Sequence, residues 1–239
     1  AEKNTSILID KDARLTGNNC GVFSNSTASN GLVIAAGAKV KAAIICSSGG
    51  LSVSGSALVE PSPITDCPPV EDPLASRPAP SFGGCDYNDL TIFGEILTLE
   101  PGVYCGDLTL DGASTVTLNP GIYILKDGGL KVLGKARLSG TGAGFFITGA
   151  AQPTIFGPNS SVSLSAPTSG PLAGLLFFED RDNASGINLR ITSNDARSLI
   201  GTIYLPRGTL IVDATQPVAD QSAYTAIVTR FLRLNSGPN

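Results

Sequence analysis

One stretch says nearly the same thing twice. In PGVYCGDLTLDGASTVTLNPGIYILKDGGLKVLGKARL, residues 101–138, Pro101-Gly102-Val103-Tyr104 is echoed by Pro120-Gly121-Ile122-Tyr123, and Leu108-Thr109-Leu110-Asp111-Gly112 by Leu130-Lys131-Val132-Leu133-Gly134. A turn followed by a short alternating strand has one apolar side and cannot bury it alone. When the unit recurs about every twenty residues, it buries that side by stacking on the next copy. The phrase returns as SILIDKDARL at 6–15, GLVIAAGAKV at 31–40 and GLSVSGSALV at 50–59, and more loosely as TIFGPNSSVSL at 154–164, RITSNDARSL at 190–199 and TLIVDATQPV at 209–218. Alternation with period two turns one side of each strand inward, and Gly, Asn or Asp at the centre lets the backbone turn a corner.

The expected fold is therefore all-β: a right-handed parallel β-helix (β-solenoid), one domain over residues 1–239, with roughly eight to ten coils. Leu108, Leu110, Ala113, Leu130, Val132 and Ala136 are the expected inward columns, joined either by Val103 with Ile122 or by Tyr104 with Tyr123. A β-sandwich is the rival, with strands every 8–12 residues and no sequence echo. One segment departs from the pattern. PSPITDCPPVEDPLASRPAP, residues 61–80, packs prolines that cannot donate to a sheet ladder, so it reads as a loop excursion tethered over the solenoid. The other reading is a linker, with a boundary near residue 80. The C-terminal SAYTAIVTRFLRL reads as a last strand with Ala226, Val228, Leu232 and Leu234 on one parity and Ile227 and Phe231 on the other. Apolar on both sides, it needs cover, and a neighbouring subunit stacked end to end into a fibre would supply it.

With 28 Gly and 16 Pro the apolar material is cut into short pieces, which argues against long helices. The net charge of −4 and the absence of a Lys/Arg run argue against nucleic acid and against a cationic membrane surface. No stretch approaches the ~20 residues of a membrane span, and the apolar run at 172–178 reads as a buried strand. The chain has no Met, so it reads as a processed or excised piece, and any N-terminal membrane anchor would lie outside it.

The five cysteines, Cys20, Cys46, Cys67, Cys85 and Cys105, form no CxxC pair, and there is no His. No metal site and no cofactor are expected. Disulfides in an oxidising, extracytoplasmic compartment (periplasmic, cell-surface or secreted) are the expectation. Cys20–Cys46 is the favoured bridge because its gap is near one repeat. For the second, Cys67–Cys85 and Cys85–Cys105 both stand, and five free buried thiols is the contrary reading.

Several phrases resemble a known family. CGVFSNSTASNGLVIAAGAKVKAAIIC, DCPPVEDPLASRPAPSFGGCDY, PGVYCGDLTL, LNPGIYILKDGGLKVLGKARLSGTG, LSAPTSGPLAGLLFFEDRD and LIGTIYLPRGTL look like the C-terminal region of TadG-like Flp (tight-adherence) pilus-assembly proteins, from about Cys20 to Tyr224. The resemblance implies a bacterial envelope protein, anchored by an N-terminal segment not in this sequence, with pilus or envelope proteins as partners. It carries over no catalytic residues.

For chemistry, the densest charge run is Glu179, Asp180, Arg181 and Asp182, which is the candidate contact for a glycan or a cation. Asp195 with Arg197 is a second. The plain reading of both is a solvated turn with a weak ion pair. Nucleophilic catalysis through His is excluded by composition, and GTGAGFF at 140–146 lacks dinucleotide-loop spacing. Thr109, Thr115 and Thr117 suggest a hydroxyl array, but Lys131, Lys135 and Arg137 interrupt it one coil later. Four Asn-X-Ser/Thr sequons, at Asn4, Asn25, Asn159 and Asn183, read as chance in a bacterial chain. The expectation is thus a non-catalytic structural or adhesive module of a bacterial surface system, able to associate with itself. A polysaccharide-binding or polysaccharide-cleaving β-helix is the alternative.

Overall fold

The computed structural model describes residues 3–237, and among them the protein is an all-β solenoid with no helix. It divides into two compact units: residues 3–75 with 211–215 and 231–237, and residues 76–210 with 216–230.

In the first unit, β1 (Ile7–Ile9), β2 (Arg14–Thr16) and β3 (Gly21–Ser24) form one coil. β4 (Leu32–Ile34), β5 (Lys39–Lys41) and β6 (Ile44–Ser47) form the next, followed by β7 (Leu51–Val53) and β8 (Leu58–Glu60). All pair in parallel: β1 with β4 and β4 with β7, β2 with β5 and β5 with β8, β3 with β6. The register aligns Ile7, Leu32 and Leu51 in one column and Ile9, Ile34 and Val53 in another. Ile9, Leu32 and Ile34 are wholly buried, each worth about 1.5–3 kcal/mol of apolar transfer. Corners are held by left-handed residues. Asp12 and Gly37 have φ of 63° and 79°, and a Cβ on Gly37 would fall 2.1 Å from Asp12 Oδ1, so only glycine fits.

The end of β24 (Thr225–Leu234) joins this unit. Leu232 and Leu234 pair in parallel with Ile7 and Ile9, and both leucines are buried. Arg233 Nη2 donates to Thr5 O at 2.7 Å. The strand edge at Leu232–Leu234 is therefore paired by the chain's own first strand, while Ile227 stays exposed. Ala226, which shares its parity in the sequence with Leu232, is exposed.

In the second unit each coil has three strands. β9 (Tyr87–Asn88), β10 (Thr91–Phe93) and β11 (Ile96–Leu99) begin it. β12 (Gly102–Cys105), β13 (Leu108–Asp111) and β14 (Thr115–Leu118) follow, then β15 (Gly121–Lys126), β16 (Leu130–Val132) and β17 (Arg137–Thr141). β18 (Ala143–Thr148), β19 (Thr154–Phe156) and β20 (Ser161–Ser165) make the next, and β21 (Leu175–Glu179), β22 (Asn188–Ile191) and the start of β23 (Asp195–Val212) the one after. Three parallel faces result: β9-β12-β15-β18-β21, β10-β13-β16-β19-β22 and β11-β14-β17-β20-β23. Leu108, Leu110, Leu130, Val132 and Ala136 are buried as the alternation predicts. Ala113 is not: it is exposed at the turn, and Ser114, one residue on, is the buried residue of that corner.

The doubled Pro-Gly-X-Tyr phrase has a physical use. Tyr104 Oη donates to Glu100 O at 2.6 Å and Tyr123 Oη to Asn119 O at 2.8 Å. Each buried ring reaches back across its own Pro-Gly turn and satisfies its hydroxyl there. The echo is not the register, however. Val103 lies opposite Ile124 and Tyr104 opposite Leu125, so neither expected pair is formed. The slip is two residues, which preserves the inward parity. The tyrosine rings still stack at 5.9 Å, within a column Tyr87, Tyr104, Tyr123, Phe145, Phe177 whose successive centroids lie 4.7, 5.9, 5.6 and 5.0 Å apart.

The proline-rich stretch is tethered. In the first unit Ile64 bridges to Cys46, Cys67 is disulfide-bonded to Cys46, and Asn25 holds Val70 through both its amide oxygen and nitrogen. In the second, Arg77 donates to Pro171 O and Ala173 O, Phe82 lies 6.3 Å from Phe146, and Cys85 is bonded to Cys105.

The favoured Cys20–Cys46 bridge is thus corrected. The β3–β6 register sets Phe23 opposite Cys46, with Cys20 three residues upstream and exposed. At about 3.3 Å per residue that offset is near 10 Å, beyond the ~7 Å between Cα atoms that a disulfide tolerates. Cys67 reaches Cys46 because the chain turns at Asp66, φ 58°, and brings the two Cα atoms to 6.1 Å. The second bridge, Cys85–Cys105, is one of the two alternatives that the sequence left open.

Candidate functional site

The charge run after β21 folds inward. Every residue of β21 is buried, and Glu179 continues it with no exposed surface. Its carboxylate accepts N–H bonds from Ile187 at 2.6 Å and Arg207 at 3.0 Å, with Gly208 N as a further donor. Burial pushes its pKa up, and the backbone donors with the Arg207 charge oppose that shift. Asp180 accepts from Thr148 Oγ1 at 2.6 Å and from Asp182 N at 3.0 Å. Arg181 lies 5.1 Å from the centroids of both the Phe178 and Tyr204 rings, and donates from Nε to Tyr204 Oη and from Nη1 to Arg77 O. Asp182 alone of the four is exposed. Three of these side chains are thus committed to closing the loop, and Glu179 faces backbone N–H groups with no path to a dissolved sugar.

Acidic residues elsewhere do the same work. Asp89 accepts from Asp107 N, Asp107 from Gly129 N and Asp127 from Ala150 N, each carboxylate capping a backbone group one coil on. Asp107 also pairs with Lys131. Much of the acidity of the chain is therefore corner chemistry.

The β11-β14-β17-β20-β23 face is different. Its outward positions fall into columns by register. Thr98, Thr117, Ser139, Ser163 and Ser198 form one; Ile96, Thr115, Arg137, Ser161 and Asp195 form its neighbour. Rungs of a parallel sheet lie about 4.8 Å apart, so the first column is a ladder of hydroxyls at that spacing. None of its five side chains has a hydrogen-bond partner among the described residues. Beside it is an open groove of about 330 Å³ lined by Lys135, Arg137, Asn159, Ser160, Ser161 and Asp195. Arg197, paired with Asp195 in the sequence reading, instead grips Asp220 through two nitrogens. That contact raises the arginine pKa and lowers the aspartate's.

Sequence reasoning stopped the hydroxyl array at Lys131, Lys135 and Arg137. The register shows why: Thr109 is indeed followed by Lys131 and Thr115 by Arg137, but Thr117 is followed by Ser139. The alternating Ser/Thr of 115–117, 139–141 and 161–165 was the available signal.

The first coil of the second unit is apolar where later coils are polar. Phe93 and Ile96 are 69% and 84% exposed, and their partners one coil on are Asp111 and Thr115. In the first unit Cys20 is a free, exposed thiol just before β3, the strand that carries Phe23.

Among the described residues no cluster of His, Cys, Asp or Glu is arranged to hold a metal ion, and no helix is long and apolar enough to cross a membrane. No family model, no curated protein and no solved structure matches the chain.

Proposed function

We propose that this chain is a non-catalytic structural and adhesive module of a bacterial surface system, of the kind that accompanies a tight-adherence pilus, working outside the cytoplasm. Two disulfides, the usual mark of an oxidising compartment, support the location. The resemblance of its Gly-, Pro- and Cys-containing phrases to TadG-like proteins supports the pilus setting.

The observation that carries the reading is the outward apolar pair Phe93 and Ile96 on a coil whose neighbours are polar. Large exposed apolar side chains on an otherwise polar sheet mark a contact surface. The partner in this reading is a second copy or an envelope protein of the same assembly. The coil interior supplies stiffness, since close-packed columns do not deform continuously.

Light scattering over a concentration series tests it. The wild-type mass rises with concentration, and Phe93→Lys with Ile96→Lys abolishes the rise while leaving the circular dichroism spectrum unchanged. A wild-type chain that stays monomeric at every concentration and retains no envelope protein in cross-linking overturns the proposal.

A further inference from the structure

We infer that the groove on the β11-β14-β17-β20-β23 face binds a linear acidic polysaccharide, with a sugar carboxylate held at Lys135 and Arg137 and sugar hydroxyls on the serine and threonine ladder. The inference deepens the adhesive reading above by naming what the module adheres to.

Two independent features converge there. The first is charge without a partner. Lys135 and Arg137 line the groove, both are exposed, and neither ammonium nor guanidinium has an ion pair or hydrogen bond among the described residues. Most other cations of this unit are engaged, Lys131 with Asp107, Arg197 with Asp220, Arg181 and Arg207 with backbone carbonyls; Lys126 is not, and it lies outside the groove. Two free cations in one groove of an acidic chain set the sign of the ligand, and the planar guanidinium fork of Arg137 suits a carboxylate.

The second feature is the ladder alongside. Thr98, Thr117, Ser139, Ser163 and Ser198 present hydroxyls on successive rungs, each able to donate and accept, and none is used internally. Such a row matches a polymer that itself presents hydroxyls at a regular spacing along its length. Asn159 and Ser161 add an amide and a hydroxyl beside the cations. Asp195 stands two rungs from Arg137 in the same column, roughly 10 Å away at the usual strand spacing. It is well placed to accept from sugar hydroxyls without facing the bound carboxylate.

The chemistry separates this ligand from other anions. A nucleic acid calls for stacking platforms beside the cations, and the outward positions of this face carry no aromatic side chain: apart from Ile96 and Ile200 they are hydroxyl or charged. A neutral glycan has no use for two free cations. Each contact is solvent-exposed and weak, so affinity comes from several sugars bound at once along the ladder.

The test is retention of the full chain on immobilised polygalacturonate, its methyl ester and a neutral glucan. The inference expects binding to polygalacturonate, at least tenfold weaker binding to the ester and glucan, and loss of binding as salt rises. Lys135→Ala with Arg137→Ala weakens polygalacturonate binding at least tenfold. Ser139→Val with Ser163→Val weakens it several-fold while leaving the salt dependence in place. Equal binding to acid and ester, no binding to any of the three, or a double alanine variant that binds like wild type each overturns it. The same assay on Phe93→Asn, a change on β10 outside the groove and the ladder, separates the two readings: retained glycan binding with weakened self-association leaves both standing. Wild-type self-association without glycan binding removes only this inference.

Discussion

Replacing Phe145 with alanine tests whether the coils truly hold one another. The ring is wholly buried, lies 5.6 Å from Tyr123 in the coil before and 5.0 Å from Phe177 in the coil after, and is nearly parallel to the latter at 11°. Truncating a buried Phe costs about 3–5 kcal/mol. Contacts to two aromatic neighbours, each worth about 0.5–1.5 kcal/mol, put this site at the upper end, about 4–5 kcal/mol. Tyr87 is the internal control. It ends the same column, is 37% exposed and has one ring neighbour, Tyr104 at 4.7 Å. Tyr87→Ala then costs about 1–2 kcal/mol, from partial burial and a single ring contact. Urea unfolding followed by circular dichroism, with both disulfides intact, reads the difference as a shift in midpoint. Phe145→Leu keeps most of the volume and falls between the two. Equal shifts for Phe145→Ala and Tyr87→Ala would refute nearest-neighbour stacking as the source of stability, since only stacking makes the position in the column matter.

Other outcomes follow from the same geometry. Glu179 has its folded-state pKa raised by burial, so its stabilising contribution is complete below the ordinary carboxylate value and fades as pH rises through the raised one. The unfolding midpoint of wild type minus that of Glu179→Gln should fall as pH rises from about 4.5 towards neutrality; a flat difference refutes the assignment. Burial likewise pushes Tyr104 and Tyr123 up. Absorbance titration above pH 10 should show Tyr104 and Tyr123 ionising late, together with unfolding, and their ionisation near the ordinary tyrosine value in folded protein counts against the buried column. Native alkylation should label Cys20 alone, and non-reducing peptide maps should contain Cys46–Cys67 and Cys85–Cys105. Replacing both cysteines of either bridge by Ser should cost about 3 kcal/mol, the loop-closure value for loops of this length; a labelled Cys46 would contradict the Cys46–Cys67 bridge.

The solenoid was legible because its signal is parity, and parity survives errors of register. The two Pro-Gly-X-Tyr phrases are out of step with the strand pairing by two residues, yet a slip of two leaves every inward residue inward. Where the error is one residue the sequence misleads, as at Ala113 and Ser114. Contacts made across corners were not legible at all. Cys67 finds Cys46 only because of a turn at Asp66, and β1 meets β24 from the other end of the chain. Neither relation is written in any local alternation. The charge run at 179–182 was visible, but its direction was not. β21 is apolar on both parities, which is how a strand covered on both faces reads, and Glu179 at its end inherits that burial.

The hydroxyl ladder shows what a period cannot find. Its members stand at 98, 117, 139, 163 and 198, so the interval grows along the chain and jumps at the last step. The growth comes from loops let out at corners, the largest being 166–174 and 180–187 between β20 and β22. Loop closure cost rises slowly with length, so such insertions are tolerated thermodynamically while the rung spacing on the face stays at that of a parallel sheet. A surface built this way keeps its geometry constant in space and irregular in sequence. Side chains on it that serve only solvation are free to vary from coil to coil; here every rung of one column carries a hydroxyl through insertions that shift its sequence position each time. That constancy across unequal loops is the reason to treat the column as one surface, and it stands or falls with the register of β20 on β23. There the pairing is irregular between Ser161 and Ser163 before Ser198 returns to the column. If cross-linking of cysteines placed at 163 and 198 fails while the pair at 139 and 163 succeeds, the ladder ends one rung earlier, and Asp195 leaves the groove with it.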